Sequence, residues 1–210
     1  MRPYLRGDVL EVGAGLGANT RALFRESDHP SWLCLEPDAS LAAGLRDGIA
    51  GGRLPARCRA ADGTVDDLPN ETTFDAILYA DVLEHIADDR GQLARARVHL
   101  RPGGRLIVLS PACEALFSPF DAAIGHYRRY DRSTVRRISP KGLELVRLRY
   151  LDAAGLLTSL ANRVLLRQDL PTQGQILFWD RVLVRVSRVL DPLLRYRIGR
   201  SILAVWHLPA

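Results

Sequence analysis

The stretch "DVLEVGAGLGANTRALF" (8 to 24) sets three glycines, Gly13, Gly15 and Gly17, at alternate positions after an apolar run that contains an acid. Without a Cβ the backbone can turn sharply there and a ligand can approach it closely. Glu36 follows 23 residues after Gly13, at the end of the next apolar run. A carboxylate so placed can accept both hydroxyls of a ribose. Together these residues predict a bound nucleoside.

The glycine spacing separates two cofactor classes. A dinucleotide fingerprint, G-x-G-x-x-G, has its last glycine one residue later and receives a pyrophosphate. Here the pattern is G-x-G-x-G, and Glu11 stands two residues before Gly13. A fixed acid at that point repels a pyrophosphate and suits a ligand with an ammonium group. The pattern favours S-adenosylmethionine over a dinucleotide.

Two further stretches carry chemistry. In "DVLEH" (81 to 85), Asp81, Glu84 and His85 fall at i, i+3 and i+4, one face of a helix. His126 lies in "GHYRRY", in a segment expected to overhang a pocket. His126 and His85 are the candidate general bases, because imidazole titrates near neutral pH. His85, early in a helix, also fits a packing or capping role. Beside Tyr127, Arg128 and Arg129 could fork onto a carboxylate or phosphate of an acceptor, or pair with the acids of the N-terminal half.

Positioning these residues requires alternating strands and helices. "DVLEV" (8 to 12), "SWLCLE" (31 to 36), "ARCRAAD" (56 to 62), "FDAILYA" (74 to 80) and "GRLIVLS" (104 to 110) read as strands with helix-like segments between them. Right-handed crossovers then give an α/β, Rossmann-like, mostly parallel sheet with helices on both faces and ligands beyond the strand C-terminal ends. "LRPGG" (100 to 104) reads as a helix stop and turn. Asp131 or Ser133 can cap a short helix starting near Thr134. "GLELVRLRYL" (142 to 151) and "SILAVWHL" (201 to 208) add a final antiparallel pair, making seven strands, with a helical insertion at about 153–198 before the last. The whole, 1–210, reads as one domain: a cofactor-binding half to 111 and a substrate half from 112.

These motifs in order resemble the class I S-adenosylmethionine-dependent methyltransferases, a bacterial subgroup in particular. "LEVGAGLGANT" resembles their first motif, "LEPD" (35 to 38) their ribose-binding acid, and "ADGTVDDLP" (61 to 69) their adenine-binding turn. "FDAILYADVLEHIADD" and "LRPGGRLIVLSP" resemble their fourth and fifth strands. The resemblance implies that Glu11, Gly13 and Gly15 surround the methionine portion of the donor and that Glu36 holds the ribose. It likewise implies that Asp62, with Gly63, meets the adenine and that Asp81 lies near the ammonium and methyl group. "DVLEH" with His126 also looks like the E-x-x-E-H plus distal His metal site of some O-methyltransferases, except that Asp81 replaces the first Glu; no metal is expected. Family members often carry helices before the first strand, where this sequence has about seven residues. The insertion, or a second subunit in a homodimer, would then supply the cover.

Composition bounds the partners. The chain has 210 residues, 47% hydrophobic, enough for a full core. Its net charge of +5 divides into −5 over residues 1–125 and +10 over 126–210. That basic half leaves an acidic or hydrophobic small-molecule acceptor and peripheral contact with an anionic membrane as expectations. Nucleic acid is disfavoured, because "YADV" stands where base amino-methyltransferases carry an N-P-P-Y type motif. In "QILFWDRVLVRVSRVLDPLL", Arg181, Arg185 and Arg188 share one helix face, while Phe178, Val182, Val186 and Val189 line another that would cover the core or act as a lid. Cys34, Cys58 and Cys113 are expected as reduced core thiols in a cytoplasmic protein. Two alternatives stay open: a nucleotide-dependent oxidoreductase on a similar sheet, and a noncatalytic donor-binding module.

Overall fold

A computed structural model describes residues 1–161 and 183–210. One seven-stranded sheet runs through it in the order β3-β2-β1-β4-β5-β7-β6. The strands are β1 (Val9–Val12), β2 (Trp32–Glu36), β3 (Cys58–Asp62), β4 (Phe74–Ala80), β5 (Leu100–Pro111), β6 (Glu144–Leu151) and β7 (Ser201–His207). The first five are mutually parallel, whereas β7 pairs antiparallel with both β5 and β6. The strand order reverses between β1 and β4, so the crevice of an α/β sheet opens at their C-terminal ends.

Alternation along the central strands divides the core. Leu10, Val12, Ile77, Tyr79, Leu106, Val108 and Trp206 fill one face. On the other, Val9, Trp32, Cys34, Ala76, Leu78, Ile107 and Val205 pack together. Each fully buried Leu, Ile or Val contributes about 1.5–3 kcal/mol, so both faces anchor the strand ends that carry the site.

The helices are α1 (Ala18–Leu23), α2 (Ala39–Ala50), α3 (Asp89–Val98), α4 (Pro119–Ala123), α5 (Arg132–Arg137), α6 (Ala153–Ala161) and α7 (Val184–Leu193). Several of their starts are set by short polar side chains. Asp38 accepts from the backbone N–H of Ser40 and Leu41 at the start of α2, at 2.8 and 3.0 Å. Asp131 does the same for α5 through Ser133 and Thr134, both at 2.7 Å, so this helix begins two residues before the expected Thr134. The expected turn at "LRPGG" is absorbed into β5 as an irregularity: Phe74 pairs with Leu100, and pairing resumes only at Ala76 and Arg105. At Gly104 a Cβ would stand 2.7 Å from the Arg101 carbonyl oxygen, which is why a glycine is needed there.

The insertion departs from its expected packing. Val186 and Val189 of α7 are 43% and 63% exposed, so they do not cover the core. The buried side of this segment is instead Leu183, Ser187 and Asp191. Asp191 accepts from the N–H groups of Asp152 and Ala153, both at 2.9 Å, and Ser187 from that of Ala154 at 3.2 Å. One arm of the excursion thus caps the first helix of the other, a pairing across almost forty residues that helical periodicity does not reveal. Phe178, Trp179, Arg181 and Val182 lie outside the described residues. Cys34 and Cys58 are buried free thiols, but Cys113 is only partly buried and sits in a loop at φ 67° rather than in the core.

Candidate functional site

The glycine turn leaves β1 at the crevice. Gly13 and Gly15 have φ of 66° and 57°, in the left-handed region. Their reasons for being glycine differ. At Gly13 a Cβ would stand 2.6 Å from the Val82 side chain, whereas at Gly15 it would meet nothing within 4 Å. The turn therefore packs at its first glycine and opens at its second, the cradle that a nucleoside-bearing ligand needs. Glu36, 7% exposed at the end of β2, braces it: one carboxylate oxygen accepts from the Gly15 N–H at 2.8 Å and the other from that of Asp38 at 3.1 Å.

Asp62 stands beside Glu36 in register across β2 and β3. Its carboxylate pairs with Arg46 at 2.5 Å in an exposed position. Gly63 follows at φ 128° and donates its N–H to the Glu36 carbonyl, and a capping box between Thr64 and Asp67 fixes the turn after it. Glu11 is 1% exposed and lies on the opposite face of β1 from Leu10 and Val12. There Thr20 and Trp32 donate to one of its oxygens at 2.6 and 2.8 Å, while the other has no partner. Burial raises its pKa. Glu11 thus underpins the turn and the start of α1 from within the core.

The second half of the crevice is built after β4 and β5. Asp81 leaves β4 at φ 56°, a conformation costing a non-glycine residue of the order of 1–3 kcal/mol, and its side chain is exposed at the crevice mouth yet ringed by protein on most sides. That burial raises its pKa, against the pull of His126 and Arg200. "DVLEH" is not one helix face: a short 3-10 turn spans Leu83–His85, and Asp81 precedes it. The turn brings His85 against His126, with ring centroids 4.6 Å apart and planes at 77°. Glu84 is fully buried beside them, and neither its carboxylate oxygens nor the nearby Ser110 hydroxyl makes a hydrogen bond of ordinary geometry. Burial, reinforced by the Asp81 charge, pushes the Glu84 pKa up to about 7.

His126 is held from behind. Its Nδ1 lies 3.0 Å from Asp121, whose side chain is 1% exposed. Burial alone would raise the Asp121 pKa, but the Arg129 guanidinium, Ser118 and His126 outweigh it and lower it. Arg129 grips both Asp121 oxygens at 3.0 and 2.9 Å. With Asp121 ionised, Nδ1 of His126 carries its proton and Nε2 is left to accept one. Arg128 is likewise paired within the chain, with Asp89 at 2.6 Å and the Ala87 carbonyl at 2.8 Å. Both arginines thus brace the loop in this geometry, and Tyr127, 60% exposed, is its open side chain. Glu84, His85 and His126 each offer one ligand atom, all within 4.8 Å of one another, a set that could take a cation; Asp81 is not part of it.

The description "Methyltransferase domain" matches residues 10–106, the stretch from the glycine turn through β5. A ubiquinone biosynthesis O-methyltransferase of Xylella fastidiosa is 33% identical over 106 residues, 50% of this chain and 42% of that protein. Residues 10–106 of this chain are thus similar to a methyltransferase domain. The open cradle at Gly15 beside Glu36 fits S-adenosylmethionine as the cofactor of such a domain. A trans-aconitate 2-methyltransferase of Deinococcus radiodurans is 26% identical over 189 residues, 86% of this chain and 69% of that one. Among solved structures, the N-methyltransferase NodS of Bradyrhizobium japonicum in complex with S-adenosyl-L-homocysteine shares the fold at a TM-score of 0.58 and 18% identity, over 98% of this chain and 79% of its own. The [4+2]-cyclase SpnF does so at 0.65 and 17%, over 98% and 76%. The chain spans less than half the length of the first curated relatives it matches.

Within this site, the residues that sequence reasoning missed are Asp121 and Ser110. Asp121 had a signal: "SPFD" is a helix start in which Ser118 and Asp121 form a capping box, and an acid five residues before a candidate base can reach it. Ser110 had none, since an apolar strand ending in serine is commonplace.

Proposed function

We propose that this protein transfers the methyl group of S-adenosylmethionine to an oxygen of a small-molecule acceptor, hydrophobic or acidic in character, with His126 as the base. The observation that carries the reading is the contact of His126 Nδ1 with buried Asp121 at 3.0 Å. When bound, the cofactor supplies a methyl group already activated by its sulfonium. The chain's task is then to align the acceptor, exclude water and remove a proton. Gly13, Gly15, Glu36, Asp62 and Gly63 hold the donor, Glu11 braces the turn from beneath through Thr20 and Trp32, and Asp81 faces the reacting end. Asp121 keeps the proton on Nδ1 of His126, so Nε2 takes the acceptor's proton, with His85 packed beside it. Tyr127 contacts the acceptor, while Arg128 and Arg129 keep the loop in place. No metal is assigned to the reaction, and unchanged turnover after chelation is the expected check.

The name of the ubiquinone biosynthesis O-methyltransferase supports an oxygen acceptor, and that of the trans-aconitate 2-methyltransferase an acidic one. Calorimetric titration with S-adenosylmethionine, with NAD as control, tests the donor half. Binding of NAD alone would restore the oxidoreductase reading. Screening hydrophobic phenols and small carboxylic acids then tests the acceptor half, and donor binding without turnover on any acceptor would favour the noncatalytic module.

A second reading, peripheral contact with an anionic membrane, is favoured by α7. Val186, Val189 and Leu193 form an exposed stripe flanked by Arg185 and Arg188. Among the described residues no helix is long and apolar enough to cross a membrane. Cosedimentation with anionic vesicles, lost in Val189→Asp, is the expected result; equal pelleting with neutral vesicles would argue against it.

A further inference from the structure

A cavity of about 280 Å³ opens between the start of α3 and α5. Three arginines, Arg90, Arg128 and Arg137, line it, with Asp89, Tyr130 and Thr134 among them. The one carboxylate, Asp89, is 7% exposed and already engaged: Arg128 reaches it at 2.6 Å and the Tyr130 hydroxyl donates to it at 3.0 Å. That pairing cancels the charge of Arg128. The side chains of Arg90 and Arg137 form no hydrogen bond or ion pair with the described residues, and both residues are exposed toward solvent. Two guanidinium groups therefore border one concavity without a counter-charge among the described residues.

Like charges gathered around one small volume repel, and the repulsion is relieved when an anion enters between them. A guanidinium presents its donors as a planar fork that matches the oxygens of phosphate and carboxylate groups. Only a dianion balances both free charges at once, and a tetrahedral group offers oxygens to two forks from different directions. We propose that this cavity binds a phosphate group in its dianionic form, either as free inorganic phosphate or as the head of a phosphate monoester. The site is separate from the glycine turn but mechanically joined to the crevice. The Tyr130 hydroxyl bridges Asp89 and the Leu83 carbonyl, and Arg128 stands two residues after His126. A bound phosphate would hold the wall on which the His126 loop rests.

The test uses the full chain and no methyl transfer, so its failure is distinguishable from failure of the proposed reaction. Inorganic phosphate is titrated at constant ionic strength against chloride, followed by amide chemical shifts. The expected result is a saturable shift confined to residues around Arg90, Tyr130, Thr134 and Arg137. Acetate, with a single charge, is expected to bind at least tenfold more weakly. The double variant R90Q/R137Q should weaken phosphate binding at least tenfold while leaving S-adenosylmethionine binding unchanged. If that variant does not fold, R137Q alone should weaken it about threefold or more. Shifts no different from those with chloride, equal binding of acetate, or wild-type phosphate affinity in a folded variant would each overturn the proposal. Glycerol 3-phosphate identifies the source: binding tighter than inorganic phosphate assigns the site to a monoester, and equal binding assigns it to the free ion.

Discussion

The end of the crevice proposed to hold the donor and the end proposed to supply the base are built by different means. Around Gly13, Gly15 and Glu36 the work is done by the backbone: positive φ, an N–H donated to Glu36, and a capped turn after Gly63. Around His126 it is done by side chains gripping side chains, Asp121 between His126 and Arg129, and Asp89 between Arg128 and Tyr130. A backbone cradle suits a ligand of constant shape. A charged side-chain lattice can be rewired by single substitutions, and it fits the end of the crevice assigned here to the acceptor.

Four substitutions would break or sharpen this contrast. The largest effect is expected from His126→Ala, which should lower turnover about 100- to 10,000-fold, the usual worth of a general base, with donor affinity intact. Equal turnover in the two proteins would remove His126 as the base and leave the lattice a structural device. Glu84→Gln comes next. A carboxyl whose pKa rises to about 7 on folding favours the fold fully below its unfolded value near 4.5, and that contribution is lost as pH rises through 7. Wild type should therefore lose up to about 3 kcal/mol between pH 4.5 and 8 that the glutamine variant keeps. Parallel stability curves for the two proteins would show that the burial of Glu84 carries no such cost.

At the donor end, Glu36→Ala should weaken S-adenosylmethionine binding by about 1–3 kcal/mol, the range of charged hydrogen bonds, and calorimetry reads it directly. If turnover at saturating donor fell as well, the two ends would not be separable. The smallest effect is expected of Asp191→Ala, which strips the cap from α6 and should cost about 1 kcal/mol in denaturant unfolding, leaving donor affinity untouched. An unchanged midpoint would mean that water replaces the cap without loss.

What was legible in the sequence follows the same division. The parallel strands, the glycine turn and Glu36 are local patterns, and each appears close to where periodicity and turn chemistry put it. The lattice depends on contacts between distant segments. Nothing local says that Arg129 grips Asp121 rather than an acceptor, or that Arg128 reaches back to Asp89. The "DVLEH" face failed for a related reason: helical spacing was assumed, whereas strand β4 exits through a strained Asp81 into a single 3-10 turn. In α7, the periodicity grouped Val186 with Val189 correctly, but periodicity alone cannot say which way a stripe faces. A buried serine and aspartate turned it outward.

That serine and aspartate have a consequence for how this fold can diversify. Ser187 and Asp191 fasten the outgoing and returning arms of the excursion at its root, beside the last two strands. Once the root is tied, residues added between two such arms cost little, since closure entropy grows by only about 0.6 kcal/mol for each doubling of length. The root can thus stay tied, and the seven-stranded scaffold in register, whatever the length of chain between the arms.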